Sequence, residues 1–407
     1  MLNASYWLTN IRLEQGHVIE DGQVVGTNTK ECHIRIDGNT ISEVIGAELE
    51  PQGQLPKYDG KGLLMLPSFE EAHIHLDKTY FAGPWKAVKP AAGVFERIEE
   101  EKVLLPKLLP MARQQAESIL TLIQSFGATY VRSHCNIEPV SGLKRLEATL
   151  QALDTFSGKI SSEIVAFPQH GLLRSNSVEL VQQSLAEGAA YVGGVDPYSV
   201  DGDIEKSLQT MVELAVMNNA GIDLHLHDGK EAGKLTLSRL ADLTEEAGLQ
   251  GKVTVSHAFW FAGAPQQETE EMAKRMGSLG MTIASTVPIG RMMMPLPMLN
   301  SQGVKVKLAT DSLTDHWSPF GNGDQLEKAG RYAELYGYND ELSLSQSLGF
   351  ITGGITPLNL KGEQVWPKVG DTANFVLLHA SCSAEAVARR SERQAVWFEG
   401  RLVSGSL

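Results

Sequence analysis

The apolar run Leu63-Leu64-Met65-Leu66-Pro67 leads into Ala72-His73-Ile74-His75-Leu76-Asp77-Lys78. On an extended strand alternate side chains share a face, so His73 and His75 project from the same side and can grip one ion. Imidazole is a favoured ligand of borderline-soft divalent metals. Taken alone, a His-x-His pair reads equally well as packing. The decision comes from further along the chain. His225, His257 and Asp311 each end another strand-like run, and a parallel barrel gathers such ends at one mouth.

Eight such runs are legible, over residues 63–75, 129–136, 163–169, 190–196, 222–227, 253–257, 281–287 and 304–311. Helical spacing fills the gaps, as over 178–185 and 204–212. This alternation predicts an α/β fold, a (β/α)8 TIM barrel. Both ends of the chain read differently. Residues 7–13 and 33–39 look like strand and turn, and 374–378 with a hairpin over 395–403, turning at Glu399-Gly400, match them from the far end. The expectation is a small β-sandwich domain built from both termini, 1–62 plus 365–407, beside a catalytic barrel over 63–364.

The 407 residues carry a formal charge of −14, which argues against a nucleic-acid partner. The opening Met1-Leu2-Asn3-Ala4-Ser5-Tyr6-Trp7 lacks a basic segment followed by an apolar one, so no secretory signal is expected. No apolar stretch approaches the roughly 20 residues of a membrane span. Cys32, Cys135 and Cys382 are too widely spaced for a disulfide framework. A cytoplasmic protein with no membrane partner is expected.

In chain order, the strand ends offer His73, His75, Asp77 and Lys78, then His134, Gln169 and Asp196. They continue with His225, His227 and Asp228, then His257, and last Asp311. Burying these polar groups without partners would be costly, and a metal centre explains them together. His73, His75, His225 and Asp311 would leave room on one divalent ion for a water, whose pKa falls toward about 7. Asp311 would also take the water's proton, and His257 would hold the hydroxide or the leaving group. Zinc is the first expectation, with iron and manganese open because the same donors suit them. The target is an electrophilic carbon whose leaving group can be protonated, such as a ring C–NH2 or an amide.

These residues resemble the amidohydrolase superfamily over nearly the whole chain. The resemblance implies a mononuclear metal-dependent hydrolase with His257 among the metal-site residues. Phe167-Pro168-Gln169-His170-Gly171, Ser256-His257-Ala258 and the stretch from Asp311 to Gly321 are similar to its cytosine-deaminase-like branch. That branch places a glutamate three residues after the strand-five histidine, where this chain has Asp228, and a second aspartate where it has Ser312. Gly193-Gly194-Val195-Asp196-Pro197, the set His225, His227 and Asp228, and the stretch from Trp317 to Asp324 resemble the N-isopropylammelide isopropylaminohydrolases of the same branch. This likeness implies that Lys78, Gln169, Asp196, His227 and Trp317 touch substrate, with Ser312 standing where those enzymes carry an amide. His227 would carry protons, supported by Asp228. The implied reaction releases ammonia or an alkylamine from a small pyrimidine- or s-triazine-type heterocycle, and homo-oligomers are common among such proteins.

Two other classes stay open: a cyclic-amide hydrolase that opens a ring, and a non-catalytic barrel, which the full set of ligands argues against. His134 has a pocket reading and a packing reading of equal weight. Cys135 beside it reads as packing before nucleophile, and Arg291-Met292-Met293-Met294-Pro295-Leu296-Pro297 reads as core or lid packing.

Overall fold

The computed structural model describes residues 5–290 and 293–407. Its chain opens with β1 (Ser5–Glu20), β2 (Gln23–Asp37), β3 (Thr40–Gly46), β4 (Lys57–Asp59) and β5 (Leu64–Pro67). The strands β6 (Phe69–Ile74), β7 (Ala128–Asn136), β8 (Ser161–Phe167) and β9 (Tyr191–Val195) come next. They are followed by β10 (Gly221–His225), β11 (Val253–Ser256), β12 (Thr282–Ser285) and β13 (Lys305–Leu308), and the chain ends with β14 (Phe375–Leu378), β15 (Arg393–Phe398) and β16 (Arg401–Gly405).

The apolar run expected as one strand over 63–75 is two strands in two sheets. Pro67 lacks the amide hydrogen a ladder needs, and the break falls there. β5 joins the terminal sheet, ordered β16-β15-β14-β5-β1-β2-β3 with β4 against β1. Period-two alternation lets β5 serve two cores: Met65 packs with Trp397 and Phe375 in the core of the terminal sheet, while Leu64 and Leu66 face the barrel. The hairpin turn at Glu399-Gly400 is as expected, with both residues at positive φ, 47° and 71°.

β6 to β13 run parallel in chain order, with helices between them. The ring closes by a bridge between Ile74 and Asp311. The Asp311 amide donates to the His73 carbonyl at 2.7 Å, and the His75 amide donates to the Asp311 carbonyl at 3.3 Å. Glu71, fully buried, accepts from the amides of His73 (3.2 Å) and Thr310 (3.0 Å) across the same seam. The closing register therefore sets Asp311 beside the His-x-His pair.

Several strands stop sooner than the sequence suggested, so Gln169, Asp196, His227, His257 and Asp311 stand on loop residues just beyond them. Asp196, His257 and Asp311 take φ of 39°, 69° and 65°, a left-handed conformation that cannot continue a ladder. Such backbone persists where its surroundings hold it, typically around functional sites.

The glycine pair before Asp196 has a packing reason. A Cβ on Gly193 would lie 2.6 Å from the Ala166 carbonyl oxygen and 2.8 Å from the Phe167 Cα, both backbone atoms of β8. Gly193→Ala is expected to cost about 1–3 kcal/mol, read as a lower urea midpoint at unchanged m-value.

Among the described residues no helix is long and apolar enough to cross a membrane. Met1 to Ala4, part of the stretch read for a signal, and Arg291-Met292 lie outside the described residues. Of the methionine-rich segment, Met294 is buried in the barrel core and Met293 is exposed.

Candidate active site

At the barrel mouth His73 on β6 and His75 just past its end meet His225, the last residue of β10, and Asp311 beyond β13. One ligand atom from each lies within 4.8 Å of the others. Asp311 Oδ1 is 3.4 Å from His73 Nε2 and 3.2 Å from His75 Nε2. His257, counted with the metal residues from sequence, stands further out, its Nε2 4.0 Å from Asp311 Oδ2.

The chemistry of the four fits a divalent ion. His73 Nε2 and both ring nitrogens of His225 are buried without a hydrogen-bond partner, a costly state that a cation would relieve at His73 Nε2 and at one His225 nitrogen. Burial holds the His75, His225 and His257 rings below their usual pKa range, so they are neutral and offer lone pairs. Burial would push the Asp311 carboxyl up, but the His73 and His75 rings beside it outweigh that and hold the group well below the usual carboxylate range. Three imidazoles and one carboxylate suit zinc, iron or manganese.

Behind His73 runs a chain of hydrogen bonds that the sequence did not announce. Ser256 Oγ donates to Asp223 Oδ1 at 2.7 Å and must therefore accept from His73 Nδ1, also 2.7 Å away. This tautomer leaves the His73 Nε2 lone pair facing Asp311. Arg132 Nη1 donates to the other Asp223 oxygen at 3.1 Å. Asp223 precedes His225 by two residues on one strand, and that shared face was the available signal. His134 packs beneath, stacked on the His73 ring at 3.7 Å and away from the cavity wall. Cys135 is fully buried, and burial raises its thiol well above the usual range, so it is no nucleophile. Asp77 is likewise structural, accepting from the Asn136 amide at 3.1 Å.

A cavity of about 370 Å³ opens over the cluster. Lys78, Gln169, Asp196, Ser312 and Trp317 reach its wall, as do His227, Asp228 and His257, with Val94 and Val195 as apolar patches. The regular strand assumed for His227 ends at His225, and His227 turns outward with its side chain 42% exposed. Asp196 holds it: Oδ2 lies 2.8 Å from His227 Nδ1, and Oδ1 accepts from the His227 and Asp228 amides at 2.6 and 2.9 Å. The partial desolvation of the barrel mouth pulls the His227 pKa down, but this bond and the Asp196 charge raise it above its ordinary value. Asp228 is raised by its own burial and then by Asp196.

Lys78 is more buried than a loop lysine should be, with 1% exposure, and donates to Gln169 Oε1 at 2.8 Å. Its counter-charge is Glu101, a residue no motif marked, on the helix Val94–Leu108. The Trp317 indole N–H also goes to Glu101, leaving only the ring itself for the cavity.

The sequence profile described as "Amidohydrolase family" matches residues 109–404. The chain belongs to the amidohydrolase family. It is a hydrolase of carbon–nitrogen bonds. It is 48% identical over 405 residues to the uncharacterized protein YahJ of Escherichia coli (strain K12), covering 99% of this chain and 88% of that one. It is 28% identical to N-isopropylammelide isopropyl amidohydrolase of Pseudomonas sp. (strain ADP), over 97% of this chain and 96% of the relative. A crystal structure of N-isopropylammelide isopropylaminohydrolase from Burkholderia multivorans ATCC 17616 superposes with a TM-score of 0.85 at 28% identity, over 99% of both chains. The barrel, the terminal sheet and the family expected from the sequence are thereby borne out.

Proposed function

We propose that this amidohydrolase removes an amino or alkylamino group from a small pyrimidine- or s-triazine-type ring and leaves a ring carbonyl. One observation carries the reading. The His73, His75, His225 and Asp311 cluster underlies a ring-sized cavity whose wall also holds the His227–Asp196 and Lys78–Gln169 pairs. The names of the two triazine relatives support the class.

A divalent ion at the four residues, zinc before iron or manganese, would supply a water with a pKa near about 7. Asp311, ionised and facing the cavity, is the group placed to take that water's proton. His257, neutral through burial, is the hydrogen-bond partner for oxygen entering the ring. His227 keeps Nδ1–H on Asp196 and turns Nε2 toward the cavity, where it carries a proton to the departing amine with Asp228 beside it. Lysine only donates, so the Gln169 carbonyl must face Lys78 and its NH2 group faces the cavity. Lys78 and Gln169 therefore offer donors, matching a ring edge that carries oxo groups. Trp317 supplies a ring surface and Ser312 a hydroxyl. A cytoplasmic setting fits Cys32, Cys135 and Cys382, all free and buried.

The test is ammonia and amine release by zinc-, iron- and manganese-loaded protein from pyrimidines, s-triazines (N-isopropylammelide among them), pterins and cyclic amides. Amine from one ring class supports the reading. Ring-opened products without amine would replace it with a cyclic-amide hydrolase.

Asp196→Asn tests the proton path. The His227 pKa is raised above that of an ordinary histidine, so the neutral, proton-accepting ring appears only as pH rises past that range, giving kcat/KM an acid limb displaced upward. Asparagine removes the charge and turns an N–H2 toward Nδ1, reversing the tautomer. A fall of about 100-fold is expected, with the limb moved to lower pH. A limb that stays in place belongs to another group.

A further inference from the structure

Glu101 does not reach the cavity, yet much of the donor wall is tied to it. In the run Glu99-Glu100-Glu101, the first residue is exposed and the second partly so, while Glu101 is turned inward with no exposure. Its Oε1 accepts from His316 Nε2 at 2.7 Å and Trp317 Nε1 at 2.8 Å, with Lys78 Nζ at 3.5 Å. Its Oε2 accepts from His170 Nε2 at 2.9 Å and Asn136 Nδ2 at 3.4 Å. These donors come from the loop after β6, the end of β7, the loop after β8 and the loop after β13. They fill the about four lone-pair sites of a carboxylate. Lys78 also lies 5.6 Å from the Trp317 ring centroid, so the ammonium and the indole are held against each other as well as against Glu101. Val94, on the same helix, lines the cavity, so the anchor sets that apolar edge too.

We propose that Glu101 is a positioning residue, whose one carboxylate ties three loops and the end of β7 into a preformed wall and fixes the Lys78 ammonium and Trp317 indole before a ring enters. Charge-assisted bonds on a buried carboxylate are strong, and removing it strands a buried cation and several donors together. The loops would otherwise order themselves at the expense of binding. The kinetic consequence rests on the proposed function; the clamp itself does not.

The experiment replaces Glu101 with glutamine, which keeps the shape but sets an NH2 group among donors. The protein is labelled with 5-fluorotryptophan, and the Trp317 19F resonance is assigned by its loss in Trp317→Phe. In Glu101→Gln the Trp317 resonance is expected to shift or broaden while those of Trp7, Trp366 and Trp397, in the terminal domain, stay. Metal content should remain that of the parent. With N-isopropylammelide as probe, kcat/KM should fall about 100-fold, mostly through KM, as expected for a slight misplacement of binding groups. An unmoved Trp317 resonance would overturn the clamp, and so would movement of every tryptophan with loss of metal, which marks a merely structural residue. If Glu101→Gln does not fold, Lys78→Met/Glu101→Gln removes the stranded cation. Its Trp317 resonance must differ from that of Lys78→Met alone, and identity would overturn the proposal. No turnover of the probe by the parent protein, with the resonance shift intact, counts against the proposed substrate and leaves the clamp standing.

Discussion

Asp311→Asn is expected to reduce amine release about 10,000-fold while leaving the barrel folded. The side chain has two tasks in the proposed reaction, holding the ion and taking a proton from its water. Asparagine can still offer one oxygen, but its amide does not accept a proton at neutral pH. The fold should survive because Asp311 closes the barrel through backbone atoms, its N–H on the His73 carbonyl and its carbonyl on the His75 amide. Asparagine also tolerates the φ of 65° better than alanine would, which makes it the cleaner substitution. Metal affinity should fall as well, since one of four donors loses its charge, with three imidazoles remaining. Kinetics at saturating zinc separate the two losses. If excess metal restores more than a tenth of the parent rate, Asp311 acts as a ligand only and the proton leaves by another route.

Much of this site was legible in the sequence because strand ends report their destination. Period-two spacing put His73 and His75 on one face, and a parallel barrel converts every strand end into a neighbour of the others, however distant in sequence. Position was harder to read than membership. The left-handed turns at Asp196, His257 and Asp311 carry no sequence mark, so the strand-like runs extend past the true strand ends, and His227 falls within such a run although β10 ends at His225. Pro67 did carry a mark, and an apolar run broken by proline is better read as two elements. Glu101 was hidden for another reason. An acidic triplet on a helix normally faces water, and what pulls Glu101 inward are residues such as His170 and His316, far away in the chain. A trace exists even so: Ile98, Leu105 and Leu108 form the buried stripe of that helix, and Glu101 interrupts it at helical spacing. A charge in an apolar stripe needs a buried partner.

His227→Asn separates proton transfer from metal binding at the same strand end. His227 follows His225 by two residues, and on a regular strand both rings would face the ion. The strand ends at His225, and the His227 ring lies 6.1 Å from the His225 ring centroid and 4.6 Å from that of His257, stacked on the latter at the cavity wall. Its Nδ1 is committed to Asp196, and it is absent from the four converging ligand atoms. The variant should therefore keep the parent's metal content and, with a side chain 42% exposed, nearly the parent's thermal midpoint. Turnover should fall about 1,000-fold, within the usual range for a lost general acid–base group. The loss should sit in kcat, because asparagine can still donate a hydrogen bond to a bound ring but cannot pass a proton to the departing amine. A substrate with a better leaving group needs that proton less, so the ratio of parent to variant rates should narrow with it. Loss of metal in His227→Asn would instead make His227 a ligand and leave Asp196 as a group that orients a metal-bound ring. Unchanged metal with unchanged kcat would move the proton path to Asp228.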